Sequence, residues 1–523
     1  MTQQVESELH SGPKNDLQEM STTTSTKSES HELDLEYSPE SPVDPKELDQ
    51  VYRQLDIRII PALWCLYFLE SFGGSAYGNT LTMNYEKGHS LKLSLGLSAH
   101  HTSIASALVY VGIIVFDVPM NLAMTKLSPQ VWLSRIIVSV GLCYTCYTAL
   151  KGPGGLIAIR FITGICGAGT WPGMSYYISL WYPGERSTRR IGYYFTAAQL
   201  SASAAGLVCA GFQKMDGVRG WYGWQWMYLV YGCITIVCGF TLLWWLPDRP
   251  RYLSNQNQSA EDRFMSRIGL DKFNFLPKAT QPLNERQRKL HKQDMLIRYK
   301  RIQYGVKDVW NIFIDPRLWP LIIMYFGVVG TGFGLAVFGT TIIHTYNPSL
   351  SGIDLSLLYA PIWLFDLAAI LLITPFADKF PKWRPLLFSL STLIIITGLL
   401  VCTYAHDKWS KYGGLLIAGF GLGPTVPITM AWTAEIFTPR HGDVGCAVSS
   451  ALVSGLGNLG SVTATYALYS GWSADAARLY RDSNMMLVLM LGVSILASGF
   501  LVVLRWKLGD FKPSTKLATS TAF

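Results

Sequence analysis

The sequence predicts an all-α membrane protein whose twelve transmembrane helices form two pseudo-symmetric bundles of six. Half of the 523 residues are hydrophobic and only 15% are Asp, Glu, Lys or Arg, against roughly 25% charged residues in ordinary soluble domains. The charged residues are concentrated in a few blocks, which leaves long stretches almost without them. One long polar segment divides these stretches into two sets of six, which is the arrangement of a duplicated membrane protein.

Twelve stretches are long and apolar enough to cross a bilayer, because a spanning helix needs about 20 apolar residues. These stretches must be helices, since in lipid every backbone N–H and C=O has to be paired within the protein. In the first half, the predicted spans are Ile57–Tyr77, Thr102–Met124, Val131–Leu150, Gly155–Trp181, Ile191–Phe212 and Gly223–Pro247. In the second half, they are Leu318–His344, Leu355–Ala377, Pro385–Ala405, Tyr412–Trp432, Val444–Ser470 and Met485–Leu504.

The segments outside the spans predict the orientation. The predicted organisation is a disordered acidic tail, a first bundle, a basic linker, a second bundle and a short tail: 1–55, 56–247, 248–317, 318–504 and 505–523. Basic residues are densest in the linker, in the second tail and after the even-numbered spans, so both termini are predicted to be cytoplasmic. The expected partners of this face are membrane lipids and no nucleic acid. A monomer in the plasma membrane is expected, with the endoplasmic reticulum as the alternative membrane.

The sequence predicts no metal site and no cofactor. The nine cysteines fall within or at the edges of apolar spans, where cysteine behaves as a small hydrophobic residue. Cys143 and Cys146 have a CxxC spacing, but no second pair or His cluster accompanies them. The sequence also contains no nucleophile–base pair typical of an enzyme and no phosphate-binding loop typical of an ATP-driven pump.

Ionisable residues inside the spans are the main candidates for function, because each costs about 2.5–3.5 kcal/mol at a helix centre on insertion scales. Glu70, near the middle of the first span, is predicted to bind a proton or to face a substrate; the alternative is a protonated acid bonded to a neighbouring helix. Arg160, in the outer half of the fourth span, suits a substrate carboxylate. Its alternative is to reach the outer headgroups.

Three further polar residues lie within or at the ends of spans. Asp366, in the middle of the eighth span, is predicted to be a second proton-coupling acid, with structural pairing as the alternative. Asp117, toward the cytoplasmic end of the second span, is predicted to be an interhelical latch at the cytoplasmic gate. His344, near the outer end of the seventh span, is interpreted as an interfacial residue. Pro172 and Pro424 indicate bends in the fourth and tenth spans, where backbone can line a cavity.

Aromatic side chains within the spans are candidates for lining a cavity that holds a flat or heterocyclic solute. Interface belts and core packing are the alternative explanation for membrane aromatics. The side chains predicted to line a substrate site are Tyr67, Trp171, Tyr176, Trp363 and Trp432, with Tyr177 and Phe333 as further candidates.

Several motifs in register resemble the major facilitator superfamily over nearly all of residues 55–510, and within it the fungal allantoate permease family, also called the anion:cation symporters. They are Phe116–Leu122 with Pro129 and Trp132-Leu133, Arg160-Phe161 running through Pro172-Gly173 to Tyr182, Leu246-Pro247-Asp248, and Gly457-Asn458. The resemblance implies alternating access around a central cavity, and symport of a small organic carboxylate or vitamin-related metabolite with protons. It also implies gating by the turn that contains Asp378, Lys379 and Arg384.

Two departures from that family affect the expected mechanism. Relatives usually carry an Asp-Arg pair where this chain has Gly73-Gly74, and a Glu where it has Gly167. Glu70 lies one helical turn before Gly73 and so on the same face. The coupling carboxylates have therefore moved, or coupling is lost. Two alternatives remain open: a transporter of a cationic, thiamine-like solute without proton coupling, and a nutrient sensor on the same scaffold that transports nothing.

Overall fold

A computed structural model describes residues 45–250, 282–298, 306–469, 472 and 474–508. These residues form long helices and contain no strand, which confirms the predicted all-α membrane fold. Ten helical segments in this part of the chain are long and apolar enough to cross a membrane. Of the remaining two predicted spans, the first lies in helix α1 and the eleventh begins in helix α14, both defined below.

In the described part of the chain, the first half contains seven helices of twelve residues or more. They are α1 Pro45–Thr80, α2 Ala99–Lys126, α3 Pro129–Cys146, α4 Pro153–Gly167, α5 Thr170–Trp181, α6 Gly184–Gln213 and α7 Gly223–Trp245. Helix α1 begins ten residues before the predicted end of the disordered tail, at residue 55. Leu48, Val51, Tyr52 and Leu55 are buried at helical spacing, and this apolar stripe extends the helix beyond the hydrophobic span.

The fourth span is broken into α4 and α5. Gly169 has a positive φ of 83° at the break, a conformation that glycine adopts without a steric penalty. Its N–H donates to Asp117 Oδ1 over 2.8 Å, so a carboxylate from the second span satisfies the backbone at the start of α5. The bend that Pro172 indicated therefore exists, three residues earlier than the proline.

The second half follows two linker helices, α8 Glu285–Arg298 and α9 Val306–Ile314. Its helices are α10 Leu318–Tyr346, α11 Gly352–Lys379, α12 Arg384–Tyr404, α13 Lys408–Leu422, α14 Thr425–Gly457 and α15 Arg481–Lys507. The tenth span bends between α13 and α14, at Gly423 and Pro424. Helix α14 then continues into the eleventh span, which ends in the turn Leu459–Val462 and the π-helical segment Thr463–Leu468.

The two halves meet along helix pairs that run through the membrane. Helix α6 packs against α11, and α2 packs against the segment Leu459–Leu468. A Cβ on Gly206 of α6 would lie 2.5 Å from the Ser356 backbone oxygen of α11, so the two backbones approach closely where one of them has no side chain. We call the face on which α1 begins the linker face, and the opposite face the outer face.

The linker helix α8 packs against the first half. Tyr52 of α1 donates a hydrogen bond of 2.5 Å to Asp294 Oδ2, and His291 Nε2 lies 2.8 Å from the Trp181 backbone oxygen. His291 is only 1% exposed, and this burial lowers the pKa of its imidazole. Part of the predicted linker is therefore an ordered element of the first half.

Candidate functional site

The Arg160 side chain of α4 points into the first half and is 2% exposed. Its Nε donates to the Ala105 backbone oxygen over 3.1 Å, and its guanidinium carbon lies 3.9 Å from the centroid of the Tyr77 ring, a cation–π contact. Three further tyrosines interact with the guanidinium: Tyr110, Tyr144 and Tyr147. We call these three residues and Tyr77, which surround Arg160, the tyrosine ring. The snorkelling alternative for Arg160 is therefore wrong, because its charge faces protein rather than headgroups.

The charge of Arg160 has no acidic counter-ion in the described part of the chain, where no carboxylate lies within ion-pair distance. A buried cation is normally paired, because an unpaired charge in a low-dielectric interior is costly. The tyrosine ring and one backbone carbonyl supply only dipoles and quadrupoles. The charge at Arg160 therefore lacks a partner of opposite sign among the described residues.

Glu70 of α1 is half-buried and, within the described residues, forms neither a hydrogen bond nor an ion pair. Its Oε1 lies 3.8 Å from the position that a Cβ on Gly167 would occupy. A Cβ on Gly73 would overlap the ring of Tyr144. The two glycines therefore face different groups: Glu70 stands beside Gly167, and Tyr144 fills the space beside Gly73.

Tyr110 of α2 lies near both candidate charges, since Glu70 and Arg160 both affect it electrostatically. Its ring also contacts Phe333 of α10 at a centroid distance of 4.8 Å. One side chain thus lies near the acid and the guanidinium and contacts the second half. Sequence reasoning missed Tyr77, Tyr110, Tyr144 and Tyr147. The three-residue spacing of Tyr144 and Tyr147 on one helix face was the available signal.

Tyr67 and Trp171 form an aromatic cluster beside Glu70. Their ring centroids lie 5.5 Å apart, and Trp171 also packs on Phe195 at 5.2 Å. Tyr67 lies one turn before Glu70 on α1 and interacts with Tyr325 of the second half. The structure therefore brings Glu70, Arg160 and these predicted aromatic residues into one region of the first half.

The other predicted aromatic residues make no ring contact with this cluster in the described part of the chain. Trp363 of α11 is buried and packs on Tyr359 at a centroid distance of 5.9 Å. Trp432 of α14 is 1% exposed, and Tyr176 is half-buried on α5. Among the ring contacts of the described residues, none joins Trp363 or Trp432 to the cluster at Tyr67.

The residues predicted to gate the linker face occupy two separate places. Asp117 braces the bend of the fourth span inside the first half. Arg384 Nη1 donates to Glu435 Oε2 over 2.8 Å, and Arg505 Nη2 donates to Glu435 Oε1 over 3.0 Å, so these charges tie together α12, α14 and α15 of the second half. Lys379 is exposed, and the side chain of Asp378 lies outside what the structure describes.

At the outer face, a set of hydrogen bonds that we call the outer latch joins the two halves. Gln213 Nε2, at the end of α6, donates to the Gly352 backbone oxygen over 3.1 Å and to Ser356 Oγ over 3.0 Å. Gln213 Oε1 accepts from the Asn84 N–H over 3.3 Å. Glu86 Oε1 accepts from the Gly352 N–H over 2.9 Å, which places a carboxylate at the positive end of α11.

Further contacts close the same face. Tyr85 donates to the Leu350 backbone oxygen over 2.6 Å, and the His344 ring packs on Tyr85 at a centroid distance of 4.5 Å. Thr340 Oγ1 donates to the Gly78 backbone oxygen over 3.1 Å. His344, interpreted from sequence as an interfacial residue, therefore contacts the opposite half at this face.

The family model described as Major Facilitator Superfamily matches residues 63–465. The chain belongs to the Major Facilitator Superfamily. It is 44% identical over 478 residues to Vitamin H transporter 1 of Schizosaccharomyces pombe, covering 90% of this chain and 82% of the relative. It is also 44% identical over 462 residues to an uncharacterized transporter of the same yeast, covering 87% and 72%. This superfamily member is therefore a membrane transporter and not an enzyme.

A solved structure of the superfamily shows the same fold. The crystal structure of a bacterial homolog to the human lysosomal transporter Spinster, inward-facing and unoccupied, matches with a TM-score of 0.59 at 15% identity. The match covers 88% of this chain and 97% of the other. The superfamily fold implied by the sequence motifs is confirmed.

Proposed function

We propose that this transporter carries a small organic carboxylate, with vitamin H as the first candidate, by alternating access and in symport with protons. Vitamin H, which is biotin, bears one carboxyl group on an aliphatic chain and a fused ureido ring. The relative named as a vitamin H transporter supports this substrate. The single observation that carries the proposal is the buried Arg160 guanidinium, which lacks an acidic counter-ion in the described part of the chain.

A substrate carboxylate completes the charge at Arg160. The planar guanidinium presents parallel N–H donors that match the two oxygens of a carboxylate. Its contacts with Tyr77 and Ala105 fix its position before the substrate arrives, which reduces the ordering cost of binding. This geometry favours an anionic over a cationic, thiamine-like solute, because a second cation beside Arg160 would be repelled.

Glu70 supplies the proton-coupling group in this proposal. It stands free of hydrogen bonds and ion pairs in the described residues, and it shares Tyr110 with Arg160. A proton on Glu70 removes the negative charge that would repel the incoming carboxylate. Proton binding and substrate binding therefore support each other at one site, as symport requires.

Tyr67 and Trp171 provide an apolar face for the rest of the substrate. Their rings lie 5.5 Å apart beside Glu70, and flat groups stack on aromatic rings with favourable energy. Gating is assigned to the outer latch on one face and, on the linker face, to the Asp117 brace and the charge cluster of Arg384, Glu435 and Arg505. Alternating access requires that closure at one face weakens as closure at the other forms.

Uptake of labelled vitamin H into cells that lack their own transporter tests the proposal. We expect uptake that increases when the external pH falls, and no competition from the vitamin H methyl ester, which lacks the carboxylate. Arg160→Lys should reduce uptake at least tenfold, because a point-like ammonium loses the bidentate geometry. Arg219→Lys, at an exposed outer site, is the matched control and should transport normally. Equal uptake by both variants would disprove the role of Arg160.

A further inference from the structure

Asp366 is a buried carboxylic acid of the second half that the site at Arg160 does not use. It lies on α11 and is 1% exposed. In the described part of the chain, its Oδ1 has no hydrogen-bond partner. Gln199 of α6, on the first half, lies near enough to affect this carboxyl group, and α6 packs against α11. The Oε1 of Gln199 is likewise buried without a partner among the described residues.

Two buried acceptor oxygens from opposite halves therefore lack a donor. Unpaired buried acceptors are rare, because each loses its hydrogen bonds to water without replacement. An ionised carboxylate in this apolar position is costlier still. A proton bound to Asp366 Oδ1 neutralises the acid and, with the Gln199 amide turned so that its oxygen faces the carboxyl group, donates to Gln199 Oε1. The amide can present either its oxygen or its nitrogen, since these are assigned rather than observed.

Among the described residues, no charged group pairs with Asp366. Gly423, at the bend of the tenth span, would place a Cβ 2.6 Å from Asp366 Oδ1, so the carboxyl lies against bare backbone. Among the described residues, Gln199 is the side chain whose hydrogen bonding affects this carboxyl. The charged groups of the helices packed against α11 include Arg190 of α6, His344 of α10, Arg384 of α12, Lys411 of α13 and Glu435 of α14, and in the described part of the chain none of them forms an ion pair with Asp366.

We propose that Asp366 and Gln199 form a second proton-binding site at the interface between the halves, with Gln199 as the positioning residue. The proton is held while α6 and α11 are packed together. When the halves rock apart, Asp366 loses Gln199, meets water and releases the proton to the side that has opened. This inference rests on the proposed proton symport. It adds a site whose protonation depends on the movement of the halves, whereas protonation of Glu70 depends on substrate binding.

Infrared spectroscopy of the purified full-length protein tests the site without reference to substrate. At pH 7 we expect a carbonyl stretching band from a neutral carboxyl group that disappears in Asp366→Asn. In Gln199→Leu the same band should move to higher frequency, because its hydrogen bond is lost. A merely structural Gln199 would leave the frequency unchanged. Spectra in which Asp366→Asn removes no neutral carboxyl band overturn the proposal.

Transport in proteoliposomes tests the coupling, with labelled vitamin H as the probe. Asp366→Asn should reduce accumulation driven by a pH gradient at least tenfold while substrate exchange without a gradient stays within about twofold. Asp482→Asn, in an exposed surface pair with Arg478, is the control and should behave as wild type. If Glu70→Gln abolishes gradient-driven uptake and Asp366→Asn does not, the second site is wrong and the proposed function stands. Wild-type uptake that ignores the gradient overturns both the symport and this inference.

Discussion

The Oε1 of Glu70, on the first span, lies 3.8 Å from the point at which Gly167, on the fourth span, would carry a Cβ. In the family that the sequence resembles, a glutamate stands at the position of Gly167. Here a carboxyl group reaches the same place from the neighbouring helix. Glu70 therefore places a carboxyl group beside the position at which that family carries its glutamate.

The first prediction concerns variants in which the carboxyl group is removed from the first span and then placed on the fourth. Glu70→Gln should abolish the stimulation of uptake by external acid, because an amide takes up no proton in this range. Adding Gly167→Asp should restore part of that stimulation, since the new carboxyl group enters the space that Glu70 Oε1 occupied. Uptake measured across external pH 5 to 8 checks both variants. Failure of the double variant, with normal expression, would show that the location alone is insufficient.

The adjacent glycines of the first span should respond differently to the same substitution. A Cβ on Gly73 overlaps Tyr144, whereas Gly74 has no atom within 4 Å of its Cβ position. We expect Gly73→Ala to cost about 1–3 kcal/mol of stability through overpacking, and Gly74→Ala to be neutral or slightly stabilising, since alanine favours helix. Thermal unfolding of the detergent-solubilised protein separates the two. Equal melting temperatures would contradict the placement of Tyr144.

Breaking the outer latch should favour the state that is open to the outer face. Gln213→Leu removes two donors to the second half and leaves the Gly352 oxygen and Ser356 without that partner, at a cost of about 1–3 kcal/mol. The rate at which an impermeant thiol reagent labels Ser75→Cys, in a cysteine-free background, should rise about fivefold or more.

A matched control for the latch exists on the same face. Gln225 donates to the Thr148 backbone oxygen over 3.0 Å and accepts from the Tyr222 N–H over 3.0 Å, and both partners belong to the first half. Gln225→Leu should therefore leave the labelling rate unchanged. If both glutamine variants accelerate labelling equally, the latch is a local packing feature and not a link between the halves.

Docking of the linker helix α8 should depend on pH. Burial lowers the pKa of His291, so the docked helix holds the neutral imidazole, while undocked His291 has its ordinary pKa of about 6.5. The free energy of docking is thus constant above that pH. It becomes less favourable as the pH falls below it, because the undocked state takes up a proton. Hydrogen exchange of α8, corrected for intrinsic rates, should be slower at pH 7.5 than at pH 5.5.

The substitution His291→Gln provides the control for this pH effect. Glutamine keeps an N–H donor for the Trp181 backbone oxygen, which lies 2.8 Å from His291 Nε2, and it does not titrate. In this variant, the protection of α8 from hydrogen exchange should therefore be the same at both pH values. Equal protection in the wild type would show that His291 does not control docking.

Local sequence was sufficient to predict the positions of the spans and to identify the main candidate residues. A helix that crosses hydrocarbon is specified by the length of its own apolar stretch, so its approximate position needs no partner. Glu70 and Arg160 were recognisable for the same reason, because a charge inside an apolar stretch is expensive wherever the other helices lie. The start of α1 at Pro45 was missed, since its first turns are amphipathic rather than apolar.

Tertiary structure alone decided which of these residues lie together. Gln213 and Gly352 are 139 residues apart in the chain, and no local pattern predicts that they meet. The tyrosine ring around Arg160 and the pairing of Gln199 with Asp366 likewise depend on helices from different parts of the sequence. Hydrophobicity determines which segments enter the membrane. It differs little between the apolar faces of different helices, so it does not select which helices become neighbours. The neighbours of each face follow instead from side-chain shape and buried polar contacts.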